Sequence, residues 1–131
     1  MVQAAGHIGE RIPIHIGPAK VILANKSDAE IERYLSKVEI EPFTNATVSD
    51  KDLLREQLRR IRDQGHCIDH EEFEDGCHAY SAPLFDLTGS PVAALVMAVP
   101  SVRLTPKREA QVIQLTSSAA RQLSAQMGYQ G

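Results

Sequence analysis

Residues 77–100 read CHAYSAPLFDLTGSPVAALVMAVP, two runs rich in strand-forming residues on either side of Leu87, Thr88, Gly89 and Ser90. Gly89 can take the positive φ that a tight reversal needs, so the segment is expected to form a hairpin with strands over 77–85 and about 92–99. The second run, between Pro91 and Pro100, is about half a membrane span and reads as a buried strand. Neither run alternates cleanly between polar and apolar residues. That predicts a sheet centre covered on both faces, by helices on at least one.

Working outward, helices stand on both sides of this hairpin. On the C-terminal side, Thr105 precedes Pro106 at a helix start, and Val112, Ile113, Thr116, Ala120, Leu123 and Met127 recur on one face until Gly128 ends the run. On the N-terminal side, a short strand over 66–69 and an acidic loop through Gly76 follow a helix over about 50–64. That helix has Ser49 and Asp52 as its capping pair, Leu53, Leu54, Leu58 and Ile61 on its apolar face, and Gly65 as its left-handed stop. Further back, 38–48 reads as a loop, with Pro42, Asn45 and two threonines. Ser27 and Glu30 match a capping box for a helix over about 28–37 that buries Ile31, Tyr34 and Leu35. Pro18 suits the start of a short helix over about 19–25. The opening segment 7–16 contains Pro13, so any strand there is an edge strand or starts at a break. The succession is α+β.

Composition narrows the classes. With 131 residues, 43% hydrophobic and 24% charged, the chain fits one globular domain. Lys and Arg total 14 against 17 Asp and Glu, for a net charge of −3, so the basic footprint that nucleic acid demands is missing. Residues 1–6 carry no basic, apolar or small-residue export signal, and a cytoplasmic location without membrane anchoring is expected. Cys67 and Cys77 form no CxxC pair, and in a cytoplasmic chain they are expected as free thiols.

The unusual stretch is HCIDHEEFEDGCH, 66–78, which holds both cysteines, three of the five histidines and five acids. As a zinc site it would use Cys67, His70, Cys77 and His78, although their spacing fits no standard finger and neighbours on a strand point to opposite faces. As a thiol enzyme it would pair Cys67 with His70, yet no Gly-rich elbow marks an oxyanion hole. The plain reading is a solvated acidic loop between strands, with the cysteines packed as small hydrophobes. No metal, cofactor or catalytic residue is assigned. Gly17, Pro18, Ala19 and Lys20 open a helix and could cradle an anion on free backbone N–H groups, or form an ordinary turn.

In order, the segments GERIPIH, AKVILA, a Thr-rich loop with Asn45 and Thr47, RIRDQGHCIDHEEFEDG and SAPLFDLTGSPVAALVMAVPSVRLT form a succession that resembles the effector-binding domain of the IclR family of bacterial transcriptional regulators. The likeness runs from about Gly9 to the final helix. Its most specific parts are the spacing of Gly65, Asp69, Glu71, Glu72 and Gly76 and the hairpin from Ala82-Pro83 to Pro91.

The resemblance implies a GAF-like antiparallel sheet flanked by helices that binds a small metabolite and is normally joined to a winged helix-turn-helix. On it, residues 1–131 are expected to form a single, partial effector-binding domain. DNA would be reached only through a domain outside this chain, and an uncovered sheet edge would pair into a homodimer or homotetramer. Carried over residue by residue, the effector contacts fall on Gly17, Ala19, Asp69, Cys77, Ala79, Val96 and Ala98. The chain departs from the family in a shorter loop carrying Pro18, and in apolar residues at 79, 96 and 98 where a cysteine and hydroxylated residues are frequent. Each loss removes a polar partner, worth about 1–3 kcal/mol to a buried ligand oxygen. The expected effector is therefore more apolar or aromatic than a small hydrophilic acid. The alternative is a module that kept the fold for self-association and lost its ligand.

Overall fold

A computed structural model describes residues 8–131; the opening 1–7, where the export reading and the start of the first segment fall, lies outside the described residues. Cys67–His70 (β1), Cys77–Phe85 (β2) and Pro91–Pro100 (β3) form one antiparallel sheet in the order β1-β2-β3. The hairpin turn is fastened by Asp86, whose carboxylate accepts from the backbone N–H groups of Thr88 at 2.9 Å and Ser90 at 3.2 Å, while Gly89 sits at φ 81° as expected. Pro83 is tolerated inside β2 because β1 pairs only with residues 78–81, so its missing N–H breaks no bond to β1.

One face of the sheet meets a 3-10 turn over Gly17–Ala19 and the short helix α1, Lys20–Ala24. The anticipated helix at 19–25 therefore begins as a tighter turn and is shorter. Behind it stand α2, Asp28–Lys37, and α3, Lys51–Gln64. Val21, Leu23, Leu35, Leu54, Leu58 and Ile61 close the core between them, each buried Leu or Ile contributing about 1.5–3 kcal/mol.

Local signals act as read at most ends. Ser27 Oγ accepts from Glu30 N–H at 3.2 Å and donates to Glu30 Oε1 at 2.9 Å, and Gly65 closes α3 at φ 82°. The cap of α3, however, is Asp50 and not Ser49, its Oδ1 accepting from Asp52 N–H at 2.8 Å and Leu53 N–H at 3.2 Å. Leu53 lies one position off the buried stripe of Leu54, Leu58 and Ile61 and is 58% exposed.

The other face is covered by α4, Pro106–Gln126. Its buried positions are Thr116, Ala120 and Ser124, a ridge of small residues four apart, while Leu123 and Met127 of the expected face are exposed. Ser124 belongs to the sheet chemically as well: its Oγ accepts from Phe85 N–H at 3.0 Å, beside the register shift between Leu84 and Phe85.

Two further expectations are corrected. Residues 8–16 form turns and no strand, as Pro13 and the reversal that brings Ile16 N–H to Pro13 O break extension. Only β2 is covered on both faces; β3 is an edge strand on which Val92, Val96 and Met97 stay exposed.

Candidate functional site

The strand registers sort the side chains. Asp69 pairs with Ala79 and Ala79 with Ala98, and Cys67 pairs with Ser81 and Ser81 with Val96, so these residues share the face turned toward the 3-10 turn. Two contacts seat the turn on that face: Ser81 Oγ donates to Pro18 O at 2.7 Å, and Cys67 Sγ lies 3.7 Å from Gly17 O.

Beside them remains a cavity of about 300 Å³, lined by Ile12, Pro18, Ala19, Ile22, Asp69, Phe73, Glu74, Cys77, Ala79, Ala94, Val96 and Ala98. Ala19, Asp69, Cys77, Ala79, Val96 and Ala98 from the sequence reading are thus brought together. Gly17 stands behind the wall: a Cβ there would fall 3.0 Å from Asp69 Oδ2 and 3.1 Å from Phe73 Cβ.

Ile12, Ile22, Ala94, Phe73 and Glu74 were not anticipated. Ala94 had a signal, since it lies two residues before Val96 and so on the same face of β3. Phe73 had none; it is carried in by the loop after β1, where it packs on Phe43 with ring centroids 5.1 Å apart.

That loop is held from three directions. Asp69 Oδ1 accepts from Glu72 N–H at 2.7 Å. Thr44 Oγ1 donates to Glu71 O at 2.7 Å and Thr47 Oγ1 to Glu72 O at 2.6 Å, which gives the Thr-rich loop its purpose. Lys20, fully buried, places Nζ against Glu72 Oε1 and donates to Gln57 Oε1 at 2.9 Å. The lysine is thus committed to the interior and is not free to serve an anion at the Gly17–Lys20 turn.

Asp69 is 2% exposed, and burial pushes its carboxyl up to about 6; the Glu72 carboxylate adds to this, while the Glu72 N–H bond and the Lys20 charge oppose it. Near neutrality it sits close to the point where it can donate as well as accept.

The Cys–His readings do not survive the geometry. Cys67 faces the 3-10 turn, whereas His70 and His78 are cross-strand partners on the opposite face, toward α4. Cys67 and His70 therefore cannot act as nucleophile and base, and burial pushes the Cys67 thiol up to about 12. Burial also raises the Cys77 thiol. No helix among the described residues is long and apolar enough to cross a membrane.

Comparison with known proteins agrees with this architecture. Residues 1–125 match the family described as bacterial transcriptional regulator IclR C-terminal. The HTH-type transcriptional regulator KdgR of Escherichia coli K12 is 34% identical over 123 residues, covering 93% of this chain and 47% of that regulator, so the chain spans about half the length of such relatives. The Thermotoga maritima IclR structure superposes with a TM-score of 0.92 at 27% identity, over 98% of this chain and 53% of that one. The inducer-binding domain of a PobR double mutant from Acinetobacter, in complex with 3-hydroxybenzoic acid, superposes with a TM-score of 0.84 at 28% identity, over 94% of this chain and 72% of that one. An α+β sheet flanked by helices, matched in sequence over residues 1–125, assigns the chain to the C-terminal domain family of the IclR transcriptional regulators.

Proposed function

We propose that this regulatory domain senses a small organic effector in the cavity above Asp69, and that occupancy changes DNA binding by a helix-turn-helix domain outside residues 1–131. The observation that carries the reading is one deeply buried carboxyl, Asp69, set among mostly apolar walls, with the half-buried Glu74 also in the lining. Among the described residues the lining holds no lysine, arginine or histidine, so a small free acid such as glyoxylate or pyruvate meets no counter-charge there. An apolar or aromatic body with a hydroxyl reaching Asp69 suits the walls, in a volume at the small end of ligand pockets. The hydroxylated aromatic ring of the ligand in the PobR complex supports that body, while its acid group would meet no counter-charge in this lining. Coupling between such a site and DNA is typically about 1–3 kcal/mol. Catalysis is not proposed, as burial raises both thiols and Cys67 stands on the opposite face of the sheet from His70.

A thermal-shift panel tests this. Neutral hydroxylated aromatics, such as the methyl ester of 3-hydroxybenzoic acid, are compared with glyoxylate and pyruvate. A binder at about a hundred times its Kd adds roughly 2.7 kcal/mol of stability, and Asp69→Ala should remove that gain. A saturable rise with glyoxylate or pyruvate and none with the aromatics would sink the proposed ligand class. Equal stabilisation of the mutant would remove Asp69 from the site.

Self-association is the second reading, favoured by the outer strand β3, where Val92 is 52% and Val96 and Met97 are each 44% exposed. A homodimer or homotetramer burying that edge is the expected species in native mass spectrometry. An empty oligomer that binds none of the panel would favour an interaction module over a sensor.

A further inference from the structure

The face of the sheet turned away from the cavity carries a second constellation. His70 and His78 are register partners on β1 and β2, with Nδ1 atoms 3.2 Å apart and rings nearly perpendicular at 87°. Glu109, in the first turn of α4, completes the group: one ligand atom from each of the three residues lies within 4.8 Å of the other two. Tyr80, two residues along β2 from His78, donates its hydroxyl to Glu109 Oε2 at 2.8 Å and fixes the carboxylate.

We propose that His70, His78 and Glu109 form a binding site for a zinc-class divalent transition metal. Two imidazole nitrogens held about 2.0–2.1 Å from a tetrahedral zinc lie roughly 3.3 Å from each other, the separation the two Nδ1 atoms already have. Two imidazoles and one carboxylate suit zinc, cobalt or nickel and disfavour magnesium and calcium, which require mostly oxygen donors. Tyr80 stands where an outer hydrogen bond orients a ligating carboxylate. Three protein ligands leave a fourth position open to water or an anionic donor. The ion would tie β1 and β2 to the first turn of α4. It would sit beside the loop that begins at Glu71 and sends Phe73 into the cavity. The site stands independently of any effector on the other face. A plain hydrogen bond between the two histidines, with Glu109 serving only Tyr80, is the competing account.

The decisive experiment is a titration of the chelator-stripped chain with Zn²⁺ and with Co²⁺ as a visible-absorption probe, read together with the melting temperature. The proposal expects one ion per chain, tetrahedral-type cobalt absorption and a rise in melting temperature, with no response to Mg²⁺ or Ca²⁺. His70→Gln, at an exposed position that the fold tolerates, and Glu109→Gln should each abolish the cobalt spectrum while circular dichroism stays unchanged. Tyr80→Phe, as a positioning change, should weaken affinity about 10–100-fold without removing the spectrum. Cys67→Ser and Cys77→Ala should leave it intact. Binding that survives His70→Gln combined with His78→Gln, an equal response to Mg²⁺, or no saturable binding would overturn the site.

Discussion

The two faces of β2 meet different surfaces, a regular helix and an irregular turn, and end up differently. Toward α4, Tyr80 and Ala82 lie under Thr116, Ala120 and Ser124, and a regular helix with a small-residue ridge settles close enough for Ser124 to bond the strand backbone. Toward the 3-10 turn, Ala79 and its partner Ala98 face an irregular backbone pinned by Ser81 and Cys67, and about 300 Å³ stays open. Small side chains bring elements together when the opposing surface is regular. Opposite a turn whose height is set by its own hydrogen bonds, small side chains such as Ala79 and Ala98 leave room.

The strongest way to break the contrast is at Lys20. Lys20→Met leaves Glu72 buried without its partner and should cost about 3–5 kcal/mol in urea unfolding. Amide exchange should rise around Asp69 and α1 before it rises in α4. Adding Glu72→Leu should recover most of that loss, because the penalty comes from the stranded charge; no recovery would mean that the pair supplies geometry and not merely neutrality.

Paired substitutions sharpen the comparison. Ala120→Leu on the packed face should destabilise by about 1–3 kcal/mol through overpacking. Ala79→Val on the cavity face should be tolerated and could gain up to about 1 kcal/mol by filling space, while reducing effector binding. Equal losses from both changes would contradict an open cavity over Ala79.

A further test is a pH dependence. The Asp69 carboxyl titrates near 6 in the folded chain against an ordinary value of 3.8. Because the folded pKa is raised, the protonated form favours folding: its contribution is full below about 3.8 and is lost as pH rises through about 6. The stability difference between wild type and Asp69→Asn should change across that window and flatten on either side. A difference that is constant from pH 4 to 7 would show that burial does not raise this group.

What was legible in the sequence follows from how local each signal is. The Ser27 cap, the Gly65 stop and the Gly89 turn act within a few residues, and all three hold in the fold. The succession of segments also led to the correct family. Errors arose where a partner elsewhere in space decides. Leu123 and Met127 extend the helical stripe of α4, yet the sheet admits only the narrow ridge of Thr116, Ala120 and Ser124. Lys20 reads in the sequence only as part of the turn that opens the first helix, while Glu72 and Gln57, which receive it, are supplied by distant segments. The Cys–His cluster stands out in the sequence, but one strand step separates the faces of its members, and Glu109, more than thirty residues on, has no marker in that stretch.

The close approach at Gly17 has a practical consequence for anyone retuning the cavity as a sensor. Its height is fixed where main chain meets Asp69 and Phe73, with 3.0 Å and 3.1 Å left for even a methyl group, so position 17 cannot be used to reshape the chamber. Selectivity must instead be altered along the strands, at Ala79, Ala94, Val96 and Ala98. There, each added carbon subtracts directly from the space a guest can occupy.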